Sequence, residues 1–142
     1  MKFTTFSLTE LLSQIGEDKV RNKLKGFRSK DKDIENFLIN KAIFFEKISI
    51  SSTYLIFNSE KELAGYFSIA NRSLILQKED LDIISKTLKK RLTKSASENK
   101  SGDYVINSFL LGQVGKNFNL EKNNLTGNEI LKIAYELLLE IR

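Results

Sequence analysis

The chain has 142 residues, of which 41% are hydrophobic and 29% are charged, and this length predicts one globular domain large enough to bury a core. It contains no Cys and no His, which excludes disulfides, thiolate nucleophiles, histidine bases and zinc sites built from those ligands. No apolar run approaches the roughly 18–20 residues of a membrane span. The start of the chain also lacks the pattern of a signal peptide, so we expect a cytoplasmic protein without membrane contact.

Positive charge is concentrated in one segment. The chain carries 23 Lys and Arg against 18 Asp and Glu, a net charge of +5. Residues 86–100 hold six basic side chains and one Glu, and 6 − 1 is also +5. This segment is either a phosphate-binding patch or the solvated face of a lysine-rich helix, and we favour the solvated face. Because specific groove readers rely on Arg, the excess of Lys argues against sequence-specific DNA recognition.

The first third of the chain predicts helices. Residues 8–25 predict one or two short helices, capped by Thr9 or Ser7 and interrupted at Gly16. Residues 31–48 predict a longer helix, because apolar side chains recur at three- and four-residue spacing. The apolar stripe consists of Ile34, Phe37, Leu38, Ala42, Phe45 and Ile48, and Ile39, Ile43 and Phe44 widen it. We expect a stripe of this width to be covered on more than one side, with both adjacent Phe side chains in the core.

A β-hairpin is predicted next. Residues 52–58 and 63–70 are rich in β-branched and aromatic residues, and the polar turn 59–62 separates them. Gly65 within the second strand indicates a bulge. The triplet Asn71-Arg72-Ser73 follows this strand and predicts a turn, or in a second interpretation the lining of a cleft.

The second half alternates helix and strand. A helix is predicted over 79–94 and a loop over 95–102. A long strand over 103–114, a polar loop over 115–126 and a closing helix over 127–141 follow. The order predicts an α+β fold with N-terminal helices, a hairpin, a long strand and a C-terminal helix.

Three stretches, in this order and spacing, resemble bacterial and phage GNAT-like N-acetyltransferases. They are the helix with DIENFL at 33–38 and KAIFFE at 41–46, the hairpin with TYLI at 53–56 and AGYFSIANRSL at 64–74, and LLGQVGKN at 110–117 with GNEIL at 127–131. The resemblance covers most of residues 30–141, and it implies a central, mostly antiparallel sheet in which the long strand splays from its neighbour. It implies an enzyme that transfers an acetyl group from acetyl-CoA, as co-substrate, to an amine on a small molecule or a protein.

The resemblance also implies where acetyl-CoA would bind. In such folds the long strand splays from its neighbour and its free backbone groups pair with the pantetheine arm, while the pyrophosphate lies at the N-terminus of the next helix. The residues implied for this site are Leu111, Gln113, Val114, Gly115, Lys116, Thr126, Gly127 and Asn128.

The sequence departs from the family pattern at the phosphate signature, Gln/Arg-x-x-Gly-x-Gly/Ala. Lys122 replaces the Gln or Arg, Leu125 replaces the first Gly, and Glu129 would repel the phosphates, an effect that Lys122 could offset.

A complete GNAT fold also continues beyond its closing helix with a strand, a helix and usually two further strands. We therefore expect one GNAT-like domain over 1–142 with the first two thirds of the fold, either shortened, degenerate or completed by a partner chain. An open sheet edge there would favour a homodimer.

No catalytic residue is assigned. Asp103 and Glu46 are candidate bases acting through water, but both are better explained as surface carboxylates. Tyr104 and Tyr135 are candidate proton donors, but Tyr104 is better explained as a strand residue that packs against a neighbour, and Tyr135 as a residue on the boundary of the last helix. Arg28 begins a short polar segment that favours a loop over a phosphate contact.

A second functional class remains open. A non-catalytic binding protein of phage or mobile-element type would use residues 86–100 against nucleic acid or an acidic partner. The concentrated charge and the degenerate phosphate signature favour it. No metal site is predicted.

Overall fold

The computed structural model of the protein describes residues 2–76, 96–98 and 104–140, and the side chains of residues 2–70 and 111–140. The chain forms two compact units, residues 1–70 with 111–142, and residues 71–110. The predicted helix over 79–94 and most of the basic segment therefore lie outside the described residues. Among the helices that are described, none has both the length and the apolar character needed to cross a bilayer.

The first unit begins with a short strand and two helices. β1 (Thr4–Ser7) was not predicted, because four residues give too short a pattern. α1 (Leu8–Ile15) and α2 (Glu17–Leu24) confirm the predicted interruption at Gly16, whose φ is 87°, and show that the segment forms two helices and not one. Ser7 is the cap of α1, since its Oγ accepts a hydrogen bond from the Glu10 N–H at 3.0 Å.

The helix predicted over 31–48 is present with an irregular centre. α3 (Lys32–Asn36), a π-helical turn (Phe37–Lys41) and α4 (Ala42–Lys47) follow one another without a break. The π-helical turn is wider than the α-helical repeat. The turn therefore rotates α4 away from the stripe that the sequence predicts.

This rotation corrects the predicted burial of two side chains. Phe44 is 57% exposed and Ile48 is 47% exposed, so their predicted places in the apolar stripe are wrong. Phe45, half-buried, packs edge-on against Phe37 with ring centroids 5.7 Å apart. The apolar face is real, but the π-helical turn decides which of two adjacent Phe side chains belongs to it.

The predicted hairpin is confirmed. β2 (Ser52–Phe57) pairs antiparallel with β3 (Leu63–Leu76), and the register shifts beside Gly65, where a bulge was predicted. β3 continues through residues 71–73, so the turn predicted there is wrong. In an antiparallel pair, one extra residue on one strand is the usual form of such a bulge.

The long strand and the closing helix are also confirmed. β5 (Tyr104–Lys116) ends two residues later than predicted, and α5 spans Gly127–Glu140. In the first unit the strand order is β1-β2-β3-β5. β5 runs antiparallel to β3, because the Asn117 N–H donates to the Ala64 carbonyl at 2.9 Å while Gly112 lies beside the Ser68 carbonyl.

In the second unit, β4 (Ala96–Glu98) pairs antiparallel with the start of β5. Ala96 lies opposite Ile106 and Glu98 lies opposite Tyr104. The loop predicted over 95–102 is wrong for these three residues. An Ala-Ser-Glu sequence has weak strand propensity, and the available edge of β5 determines its conformation instead.

The core lies on both faces of the sheet, because successive strand side chains point to opposite sides. One cluster joins α1–α4 to the sheet and includes Leu8, Leu24, Phe27, Leu38, Leu55 and Tyr66. The other joins α5 to the sheet and includes Ile56, Ala64, Phe67, Leu125, Ile130 and Ala134.

Candidate functional site

Over the residues implied for the cofactor arm, the outer edge of β5 is paired with no strand that the structure describes. One edge of β5 faces β3, and on the other edge β4 reaches only Tyr104–Ile106. Within the described ranges, no strand therefore pairs with the outer edge of Leu111–Lys116. Backbone N–H and C=O groups are strong hydrogen-bonding groups, so this edge can bind an extended ligand that carries amides.

The backbone of this segment is irregular and tightly packed. Leu111 and Val114 both contact the cluster beneath α5, although regular alternation would place residues three apart on opposite faces. Gly115 is buried, and a Cβ there would lie 2.6 Å from Ile34 Cγ2 and 2.8 Å from Tyr66 Cε1. Any larger side chain would have to displace these groups, so the close packing fixes the end of β5.

Gln113 presents an unsatisfied acceptor within this segment. Its Oε1 is buried and makes no hydrogen bond to any described residue. A buried amide oxygen without a partner costs about 1–3 kcal/mol. An N–H donor from a bound molecule would remove this cost.

Asn117 fixes the end of β5 to two other parts of the first unit. Its Oδ1 accepts from the Arg28 N–H at 3.1 Å and from the Asn119 N–H at 3.0 Å. Its Nδ2 donates to the Leu63 carbonyl at 2.8 Å. The residue is 4% exposed, and its Oδ1 and Nδ2 both have hydrogen-bond partners.

Asn123 holds the loop before α5 in the same way. Its Nδ2 donates to the carbonyls of Ala64 and Asn117, both at 2.8 Å, and its Oδ1 accepts from the Leu125 N–H at 3.1 Å. The structure thus brings the end of β5 and the start of α5 together, as the resemblance implies. Neither asparagine was predicted to have this role, although the turn-forming Asn-Asn pair at 123–124 was a usable signal.

The N-terminus of α5 is capped by its own side chains. The Thr126 Oγ1 accepts from the Glu129 N–H at 3.1 Å, and the Glu129 Oε1 accepts from the Thr126 N–H at 3.2 Å. This reciprocal pair is a capping box, which the spacing Thr-x-x-Glu could have predicted. Gly127 and Asn128 lie exposed between its members, and a Cβ at Gly127 would have no heavy atom within 4 Å.

Lys122, expected to offset repulsion of the phosphates, lines a cavity of about 310 Å³ on the hairpin side of the loop. Glu60, Glu62 and Glu121 line the same cavity. Three carboxylates against one ammonium make it unsuitable for a phosphate.

Phe118 forms a small cationic and aromatic cluster with two lysines, just beyond β5. Its ring is 47% exposed, with Lys30 Nζ 4.9 Å and Lys116 Nζ 5.7 Å from the ring centroid. The Phe118 N–H donates to the Arg28 carbonyl at 2.7 Å, so the backbone beneath the ring is fixed. We call these three residues the Phe118 cluster.

Glu46, one of the candidate bases, forms structural hydrogen bonds. Glu46 accepts from the Thr53 N–H at 2.8 Å and from the Thr9 Oγ1 at 2.6 Å, so it joins the end of α4 to β2. Tyr135, a candidate proton donor, is 63% exposed on α5. Asp103 and the side chain of Tyr104 lie outside the described residues.

Two other tyrosines have raised pKa values. Burial, followed by the Asp31 charge, raises the pKa of Tyr66, whose hydroxyl donates to the Ile34 carbonyl at 2.5 Å. Burial, followed by the charges of Glu46 and Glu10, raises the pKa of Tyr54. Both phenols therefore stay protonated at neutral pH.

The sequence matches no protein-family model and no curated protein. Several solved structures nevertheless share its fold. AtaT in complex with acetyl-methionyl-tRNAfMet is 16% identical over 97% of this chain and 68% of its own, with a TM-score of 0.59. A Tyr-to-Phe variant of KacT is 14% identical over 98% and 69%, with a TM-score of 0.59.

A Tyr-to-Phe variant of the AtaT toxin, bound to the C-terminus of the antitoxin AtaR and to acetyl-CoA, is 14% identical over 98% of this chain and 65% of its own, with a TM-score of 0.53. The chain has a GNAT-like α+β fold. The fold expected from the sequence is confirmed, and the chain spans about two thirds of the length of these structures.

Proposed function

We propose that this protein is an acetyl-CoA-dependent N-acetyltransferase. The observation that carries the proposal is the outer edge of Leu111–Lys116 within a GNAT-like fold, because no described strand pairs with this edge. One structure of the same fold contains acetyl-CoA, which supports this co-substrate.

The residues of the first unit fit the pantetheine arm of acetyl-CoA. The arm carries two amides, and the edge of β5 offers backbone donors and acceptors for them. The unsatisfied Gln113 Oε1 would accept an amide N–H from the arm. Tight packing at Gly115 and the hydrogen bonds of Asn117 hold this edge in place before anything binds, which lowers the entropic cost of binding.

The chain fits the phosphates of acetyl-CoA less completely than it fits the pantetheine arm. The amides of Gly127 and Asn128 at the start of α5 would hold them, because free N–H groups and the helix dipole favour anions. Glu129 already takes part in capping the same turn. Lys116 lies at the end of β5, where its ammonium can attract a negative ligand.

Acetyl-CoA would supply an activated thioester. The neutral amine of the acceptor attacks the carbonyl carbon, a C–N bond forms and the C–S bond breaks. The products are an amide, CoA as its thiol and the proton that the acceptor ammonium released before the attack. In this chain, the edge of β5 would orient the reacting carbonyl, and such positioning accounts for a large share of catalysis in acyl transfer.

We propose the α-amino group of an aminoacyl-tRNA as the acceptor. AtaT, which shares the fold, has been solved with an acetylated aminoacyl-tRNA. The chain is also basic, with a net charge of +5, which suits a polyanion. The Phe118 cluster supports the same acceptor, because an exposed ring flanked by ammonium groups suits single-stranded nucleic acid.

A transfer assay tests both parts of this proposal. Labelled acetyl-CoA is incubated with the protein and with aminoacyl-tRNA, deacylated tRNA or free amino acids. We expect acid-stable N-acetylation of aminoacyl-tRNA only. Lys30→Glu should raise the KM for tRNA about tenfold without changing the Kd for acetyl-CoA, because Lys30 belongs to the Phe118 cluster. Lys25→Glu makes the same change of charge five residues earlier, outside the cluster, and should raise this KM less.

The possible results separate the two functional classes. Transfer to a free amine but not to aminoacyl-tRNA would retain the enzyme and reject the acceptor. Salt-sensitive tRNA binding without acetyl-CoA binding would instead support a non-catalytic binding protein.

A further inference from the structure

The chain carries its own negative group at the start of α5, and this inference rests on the proposed function. The Glu129 Oε1 accepts hydrogen bonds from the Thr126 N–H at 3.2 Å and from the Thr126 Oγ1 at 3.1 Å. These contacts hold the carboxylate against the first turn of the helix. The amides of Gly127 and Asn128, which would receive the phosphates, belong to that same turn.

No basic side chain forms an ion pair with this carboxylate within the part of the chain that the structure describes. None of the ion pairs there, which join nitrogen and oxygen atoms within 4.0 Å, includes Glu129. Lys122, the nearest basic residue in the preceding loop, lines a cavity with three other carboxylates. A phosphate that approaches α5 therefore meets, within the same helical turn, a carboxylate that no ion pair of the described residues includes.

We propose that Glu129 competes with the phosphates of acetyl-CoA for the N-terminus of α5 and so lowers the affinity for this co-substrate. The helix dipole favours one anion at this end, and the carboxylate already supplies it. Binding of the phosphates then requires either that Glu129 turns away from Thr126 or that like charges stay close together. Both alternatives oppose binding.

The same competition acts on the product, because CoA carries the same phosphates as acetyl-CoA. Glu129 therefore speeds release of CoA as well as weakening binding of acetyl-CoA. It is a residue that sets affinity, and it has no role in the bond-making step.

Glu129→Gln removes the charge and keeps the fold, because Gln also serves as the third residue of a capping box. Calorimetric titration at low salt should show that this variant binds acetyl-CoA about three- to tenfold more tightly than the wild type. The gain should shrink at high salt, since screening weakens interactions between exposed charges. Acetyl-pantetheine, which lacks the pyrophosphate, should bind both proteins equally.

Glu136→Gln is the matched control, because it removes the same charge from α5 two turns away from the phosphates. An equal gain in this control, or an equal gain for acetyl-pantetheine, would overturn the inference and leave the proposed function standing. Unchanged or weaker binding of acetyl-CoA by Glu129→Gln would have the same meaning. Failure of both the wild type and the variant to bind acetyl-CoA would reject the proposed function, and the inference with it.

Discussion

At the scale of single residues, side-chain amides rather than charges organise the candidate site. Asn117 and Asn123 connect the end of β5, the start of β3 and the loop before α5 through short hydrogen bonds. The Asn117 Oδ1 bond to the Arg28 N–H joins residues 89 positions apart. A sequence shows that an Asn is present, but the partner of such a long-range bond depends on the folded chain, so this network could not be predicted.

Asn117→Asp tests the importance of this network. The substitution removes the Nδ2 donor and places a carboxylate against the Leu63 carbonyl in a buried position. We expect the free energy of unfolding to fall by about 2–3 kcal/mol at neutral pH, since a buried polar group loses its partner. Urea denaturation measures this difference.

Asn128→Asp is the control for this measurement. Asn128 is exposed in the first turn of α5, where a negative charge is neutral or favourable. A loss of less than about 0.5 kcal/mol for Asn117→Asp would contradict the assigned role, given the magnitude expected for a lost buried hydrogen bond.

At the scale of secondary structure elements, periodicity predicted most of the fold. The hairpin, the bulge at Gly65, the long strand and the closing helix follow from residue patterns alone. The errors occur where tertiary structure determines the backbone. β4 depends on the edge of β5, and the π-helical turn changes the face of α4 without a signal in the local sequence.

The adjacent residues Phe44 and Phe45 test the effect of the π-helical turn. Because Phe44 is largely exposed, Phe44→Ser should change the free energy of unfolding by less than about 0.5 kcal/mol. Phe45→Ser should cost about 2 kcal/mol, because it removes the ring that packs against Phe37. Thermal or urea unfolding of the two variants gives this comparison. Equal losses in the free energy of unfolding would contradict the assignment of Phe45 to the packed face of α4 and of Phe44 to its exposed face.

At the scale of the whole molecule, the fold is shared with proteins of low sequence identity. Structures only 14–16% identical share it over nearly all of this chain. The order of helices, hairpin, long strand and closing helix indicated this fold only together with the three stretches that resemble GNAT-like proteins. Two apolar clusters on opposite faces of the sheet then hold these elements together. The site proposed for acetyl-CoA, Gln113 included, came from the family resemblance and stays a prediction. The cap at Glu129 is readable from the Thr-x-x-Glu spacing, whereas the long-range partners of Asn117 exist only in the folded chain.

The central claim is that acetyl-CoA binds along the outer edge of β5, and amide hydrogen exchange tests it most directly. With saturating acetyl-CoA, exchange should slow at alternate amides within Leu111–Lys116, because they gain acceptors from the ligand. Amides of β2 should not change, since β1 and β3 already pair with both of its edges. If exchange of Leu111–Lys116 is unchanged although calorimetry shows saturation, or slows only elsewhere in the chain, the cofactor does not bind to this edge.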